Sequence, residues 1–134
     1  MDSKIKSAPL IALAFLLLVF LLPVSAAPDV TCTVPGTHAT IQLAVNDAAC
    51  DQIDIGNGLF VENVTINRKV IIKGQGTALT TVDGNSAATV FTVQANGDVL
   101  FRGLTITKGS ALPFGGGINN QGGKVILNGV AVLK

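Results

Sequence analysis

The sequence predicts an all-β fold, a solenoid of parallel strands with about 26 residues per coil behind one short helix. Three observations lead there. Beyond the first 26 residues, Val, Ile and Thr supply nearly a third of the chain and all 15 glycines lie among them, a composition of strands and turns. One stretch alone, THATIQLAVNDAA, carries a helical period. A six-residue pattern recurs as KVIIKG at 69–74, DVLFRG at 98–103 and KVILNG at 124–129, which sets its closing glycines 29 and 26 residues apart.

The chain opens with Lys4 and Lys6, an apolar run from Leu10 to Leu22, then Pro23 and the small residues Ser25, Ala26 and Ala27. This is the pattern of a secretory signal peptide over residues 1–26, cut after Ala26 because a later cut would leave Pro28 at the new terminus. A retained membrane anchor is the alternative, since Ala8 to Ala27 approaches spanning length. Without the leader, seven basic and seven acidic residues remain. The basic excess of a polyanion binder is missing, so nucleic acid is not an expected partner.

The only cysteines, Cys32 and Cys50, follow the leader, and an exported chain meets an oxidising compartment. A structural disulfide between them would close a loop of about 19 residues, contributing on the order of 3 kcal/mol. No CxxC and no paired His accompanies them, so neither a metal nor a cofactor is expected. Between them Thr40 is a good N-cap, and Ile41, Ala44, Val45 and Ala48 share one helical face.

After Cys50 the apolar residues fall into three columns. Ile72, Phe101 and Leu127 form one; Ile66, Val93 and Ile118 a second; Ile55, Val82, Ile106 and Val132 a third. A chain that turns three times per repeat would stack each strand on its equivalent one coil on and build a core no single coil could bury. A sandwich is the lesser alternative, suggested by Asn57-Gly58 and Asn96-Gly97, which are hairpin signals.

TIQLAVNDAAC, GLFVENVTINRKVIIKGQG, GLTITKG and GGGINNQGG resemble the opening of right-handed parallel β-helix proteins of the pectate-lyase-like superfamily. The resemblance is nearest to exported bacterial polymorphic outer-membrane proteins and adhesin or autotransporter passengers, and it covers residues 31–134. It implies that residues 27–50 hold an N-terminal capping helix and that 51–134 are β-helix coils. The segment from Phe114 to Ile118 resembles the short Gly-Gly-x-Ile repeat of the outer-membrane members.

The superfamily contains enzymes, so each candidate residue has to be weighed. Gly58 to Glu62 resembles the Gly-x-Tyr-x-Glu motif of pectin methylesterases, with Phe60 for Tyr, but the catalytic motifs further along have no counterpart. A lyase of this fold would imply a calcium site, and calcium takes several carboxylates. Asp47, Asp51, Asp54, Asp83 and Asp98 form no cluster in the column register. Hydrolysis would need two carboxyl groups roughly 5 to 9.5 Å apart, and no hydrolase motif supports such a pair. Arg102 aligns with Lys73 as outward charge, and His38 has no Ser or Cys partner at a recognisable elbow. Phe91 and Phe101 sit in the inward columns, which leaves Phe60 and Phe114 as exposed rings. Asn63-Val64-Thr65 is a glycosylation sequon, though Asn63 is explained equally well as an outward polar position.

The expected function is therefore an exported, non-enzymatic β-helix surface or passenger domain with a structural or adhesive role. The alternative is the N-terminal portion of a carbohydrate-active enzyme, degrading pectin or another polysaccharide, whose catalytic residues lie beyond Lys134. No catalytic residue is assigned. Expected partners are a cell-surface or polysaccharide ligand and further copies of the chain. The third repeat runs into VAVLK without an evident cap, so the chain reads as the N-terminal part of a longer solenoid that self-associates through this uncapped coil.

Overall fold

The computed structural model describes residues 26, 27 and 29–134. The signal peptide expected over 1–26 lies, apart from Ala26, outside the described residues. Alternation of apolar and polar residues begins at β1 (Thr31–Val34), where Cys32 and Val34 point inward. The helix α1 (Ile41–Asn46) follows, capped by Thr40, whose hydroxyl accepts from the Leu43 N–H at 3.1 Å. It buries Ile41, Ala44 and Val45. Ala48, placed on that face by the helical period, is exposed because the helix ends at Asp47.

The remaining strands are β2 (Gln52–Ile55), β3 (Gly58–Val61), β4 (Val64–Ile66), β5 (Lys69–Lys73), β6 (Thr80–Asp83), β7 (Phe91–Val93), β8 (Asp98–Thr107), β9 (Ile118–Asn120) and β10 (Lys124–Val132). Every ladder among them is parallel, which excludes the hairpins of the sandwich alternative. β1, β2, β5, β8 and β10 lie side by side, as do β3, β6 and the second half of β8. β8 joins the two rows: Asp98 to Arg102 pair with β5, and Thr105 to Thr107 pair with β6. The strand bends between them at Gly103 (φ 57°), a left-handed conformation that glycine adopts without strain, and β10 bends alike at Gly129 (φ 61°). The result is a mainly β protein with a curled seven-stranded parallel sheet, a second sheet in the order β4-β7-β9 and one short helix.

The core fills the space between the sheets. Phe91 of the small sheet meets Phe101 of the large one with ring centroids 4.6 Å apart, and both are fully buried. Burial of each such side chain contributes about 1.5–3 kcal/mol. The column Ile72, Phe101, Leu127 is observed as expected. The other two need correction. Ile66 and Val93 stand in register with Asn120, whereas Ile118 aligns with Phe91 and Val64. At this edge of the small sheet the inward position is open to solvent, so it tolerates Asn120, and matching by apolar character alone slips by two residues. Val82, Ile106 and Val132 align, but their neighbour on the other side is Phe60. Ile55 belongs to the row of β1, beside Val34, because the chain turns between Ile55 and β3. Phe60 is accordingly half-buried against the core, not an exposed ring.

Candidate functional site

The densest group of chemically capable side chains lies where β1 meets the end of α1. Cys32 and Cys50 are joined in a disulfide with Cα atoms 5.5 Å apart, as their placement after the leader predicted. His38 and Asp47 stand beside it, and one ligand atom from each of the four residues lies within 4.8 Å of the others. His38 Nε2 is 3.1 Å from Asp47 Oδ2, while His38 Nδ1 is 3.1 Å from the Thr37 hydroxyl. The Ala49 N–H donates to Asp47 Oδ1 at 2.9 Å. That bond, followed by the contact with His38, holds the Asp47 carboxyl below its usual range against the opposing pull of desolvation. His38, expected to stand alone, thus has a carboxylate partner nine residues away.

Glu62, singled out by its motif, caps the helix. Its Oε1 accepts from the Ile41 N–H at 2.9 Å and its Oε2 from the Gln42 N–H at 3.2 Å, so a carboxylate meets the positive end of α1. Arg68, which sequence reasoning passed over, does the reverse at the other end. Its Nε donates to the Val45 carbonyl at 2.6 Å, and its Nη2 to Asp47 at 2.8 Å, Cys50 at 2.7 Å and Ala44 at 3.3 Å. A planar guanidinium is suited to gather carbonyls converging from one side. Nothing local points to these capping roles, since the helix-end groups the two residues bind lie 18 to 24 positions away.

Among the other carboxylates, Asp51, Asp54 and Asp83 are engaged in the fold. Asp51 accepts from the Val30 N–H at 2.8 Å and Asp54 from the Gln52 amide at 2.7 Å. Asp83 is buried; its Oδ1 accepts from the Asn85 N–H at 2.7 Å and its Oδ2 lies 3.0 Å from Lys108 Nζ. The Asn85 N–H and then Lys108 lower its pKa, opposed by desolvation. The Asn63 side-chain nitrogen, the atom a glycan would occupy, donates to the carbonyls of Thr89 at 3.0 Å, Ala88 at 3.3 Å and Gly84 at 3.4 Å. Phe114 is exposed, as expected. Lys73 and Arg102 are adjacent in register and exposed, and Asn128 continues their row. A groove of about 260 Å³ opens beside β1, β2 and β5, with Asp29, Thr31, Asp51, Lys69 and Ile71 in its wall.

Comparison of the chain with family models, with curated proteins and with solved structures gives no match.

Proposed function

We propose that this chain is an exported, non-enzymatic, right-handed parallel β-helix with a structural or adhesive role at the cell surface. The observation that carries the reading is the outward face of β5, β8 and β10. Ile71, Leu100 and Ile126 stand in register there, two residues along each strand from the row Lys73, Arg102 and Asn128 and so on the same face. Ile71 and Leu100 are half-buried and Ile126 is exposed. An apolar stripe edged by positive charge on a regular sheet suits broad contact with a partner surface.

The engagement of Glu62, Asp51 and Asp83 by main-chain N–H groups favours this reading over an enzyme, because each of these carboxylates already has a structural bond to keep. The disulfide fits the oxidising compartment that a signal peptide over 1–26 would reach. No described helix is long and apolar enough to cross a membrane. The partners proposed are a surface polysaccharide or another cell-surface ligand on the sheet face, and a second copy of the chain at the edge of β10.

Binding of the chain to immobilised acidic and neutral cell-surface polysaccharides tests the proposal. Ile126→Asp with Arg102→Glu should abolish binding while leaving the melting transition cooperative. Retention of binding by this double variant would refute the role of the face. Release of oligosaccharides from pectin by the purified chain would refute the non-enzymatic reading and favour the carbohydrate-active alternative.

A further inference from the structure

The cluster of Cys32, His38, Asp47 and Cys50 contains more than a disulfide needs. Two sulfurs, one imidazole and one carboxylate are donor types that zinc accepts, four in number, and all four ligand atoms fall within 4.8 Å of one another. With bonds of about 2.0 Å to nitrogen and oxygen and about 2.3 Å to sulfur, a tetrahedral zinc ion sets its ligands roughly 3.3–3.8 Å apart. His38 Nε2 and Asp47 Oδ2 are already 3.1 Å apart. The sulfurs must separate, and any sulfur-to-nitrogen or sulfur-to-oxygen distance near 4.8 Å must close by about 1 Å.

A second observation concerns the imidazole itself. A metal-bound histidine characteristically directs its other ring nitrogen to a fixed partner, which sets the tautomer and aims the ligating atom. Here that partner is Thr37. Its hydroxyl accepts from the Thr33 N–H at 2.8 Å and lies 3.1 Å from His38 Nδ1 and 3.3 Å from the Thr33 carbonyl, so the ring is held at that nitrogen in either tautomer. Nε2 then faces Asp47 across a gap that a proton or a metal ion can fill. Both cysteines are buried and both other ligands half-buried, so the group has a dry side and an open side for entry of an ion.

We propose that reduction of the Cys32–Cys50 disulfide turns this cluster into a four-ligand zinc site of two thiolates, one imidazole and one carboxylate, in which the ion ties β1 to the end of α1 in place of the sulfur–sulfur bond. A phosphine reductant and one water convert the disulfide to two thiols and leave a phosphine oxide. Each thiol then gives up its proton to solvent as zinc binds, so one ion displaces two protons from sulfur. The chain thereby has two exclusive ways to fasten the same end of its fold, one suited to oxidising surroundings and one to reducing surroundings that contain zinc.

The test uses the full chain, reduced anaerobically with a phosphine and titrated with Co²⁺ as a spectroscopic probe, then with Zn²⁺. The expected result is one ion per chain, the intense visible bands of tetrahedral cobalt, thiolate-to-cobalt charge transfer, and displacement by zinc. The oxidised chain should give none of these. His38→Ala and Asp47→Asn should each weaken zinc binding by at least about tenfold, Cys32→Ser should weaken the charge-transfer band, and replacement of both Cys32 and Cys50 by Ser should remove it. Should the reduced chain unfold, zinc must restore the far-ultraviolet circular dichroism of the oxidised chain. A pale octahedral cobalt spectrum, affinity unchanged by both His38→Ala and Asp47→Asn, or failure of zinc to restore the fold would each overturn the proposal.

Discussion

Replacement of Arg68 by Ala should be among the most damaging single changes outside the apolar core. The guanidinium reaches the carbonyls of Ala44, Val45, Asp47 and Cys50, and Val45 and Cys50 are themselves fully or almost fully buried. A buried acceptor left without a donor costs about 1–3 kcal/mol, and two such carbonyls are hardest for water to reach. Loss of a positive charge at the helix C-terminus adds about 0.3–1 kcal/mol. The expected destabilisation is therefore about 3–5 kcal/mol. In a domain of ordinary stability, about 5–15 kcal/mol, that is a large fraction. Urea unfolding under oxidising conditions, followed by circular dichroism, measures it; with no Trp and no Tyr, intrinsic fluorescence reports little. Arg68→Lys should fall between, because one ammonium cannot serve carbonyls that a planar fork gathers from several directions. A loss below about 1 kcal/mol for Arg68→Ala would refute the reasoning. Wild-type stability in Arg68→Lys would show that charge alone, without the fork, holds the helix.

Three further outcomes are expected. Phe101→Ala should cost about 3–5 kcal/mol, whereas Arg102→Ala, on the outer face one residue away, should stay within about 0.5 kcal/mol; equal losses in denaturant titrations would contradict the strand register. Because the Asn85 N–H and Lys108 depress the Asp83 pKa, its stabilising effect is fully present above the unfolded-state value of about 3.9 and is lost as pH falls through the lower folded value. Asp83→Asn should therefore flatten the acid limb of a stability–pH curve, and an unchanged limb would count against this linkage. β10 pairs with β8 alone among the described strands and carries the exposed Ile126, Leu127 and Val132, so light scattering should show concentration-dependent association of the wild type. Val132→Lys should reduce that association, and a monodisperse wild-type monomer would refute it.

The ladders were legible in the sequence because their cause is periodic. KVIIKG, DVLFRG and KVILNG are one strand-and-corner unit repeated, and the registers Ile72–Phe101–Leu127 and Lys73–Arg102–Asn128 follow from superposing them. The observed registers part from that superposition where the period is interrupted. The short turn after Ile55 moved the next strand into another row. Solvent at the edge of the small sheet removed the apolar signal from Asn120. The disulfide was legible from two cysteines and a leader, but the association of His38 with Asp47 was not, since the two lie at either end of α1, nine residues apart, with no spacing pattern to pair them.

The least legible part is what holds α1, and the reason is physical. A helix of six residues is far too short to be stable alone. Its cap at Thr40 and its apolar face at Ile41, Ala44 and Val45 can be read locally, yet they account for one bonded N–H and one buried stripe. Other end groups are satisfied by Glu62 and Arg68, which stand in the turns on either side of β4. The two side chains approach α1 from opposite ends with the sign of charge that each end attracts, and the Gln42 side chain bonds both the N–H and the carbonyl of Thr65 between them. The helix is thus specified jointly by its own face and by a three-residue strand some twenty positions downstream. It precedes most of the sheet in sequence but depends on it for its ends, so α1 is ordered only when β4 and the start of β5 are in place.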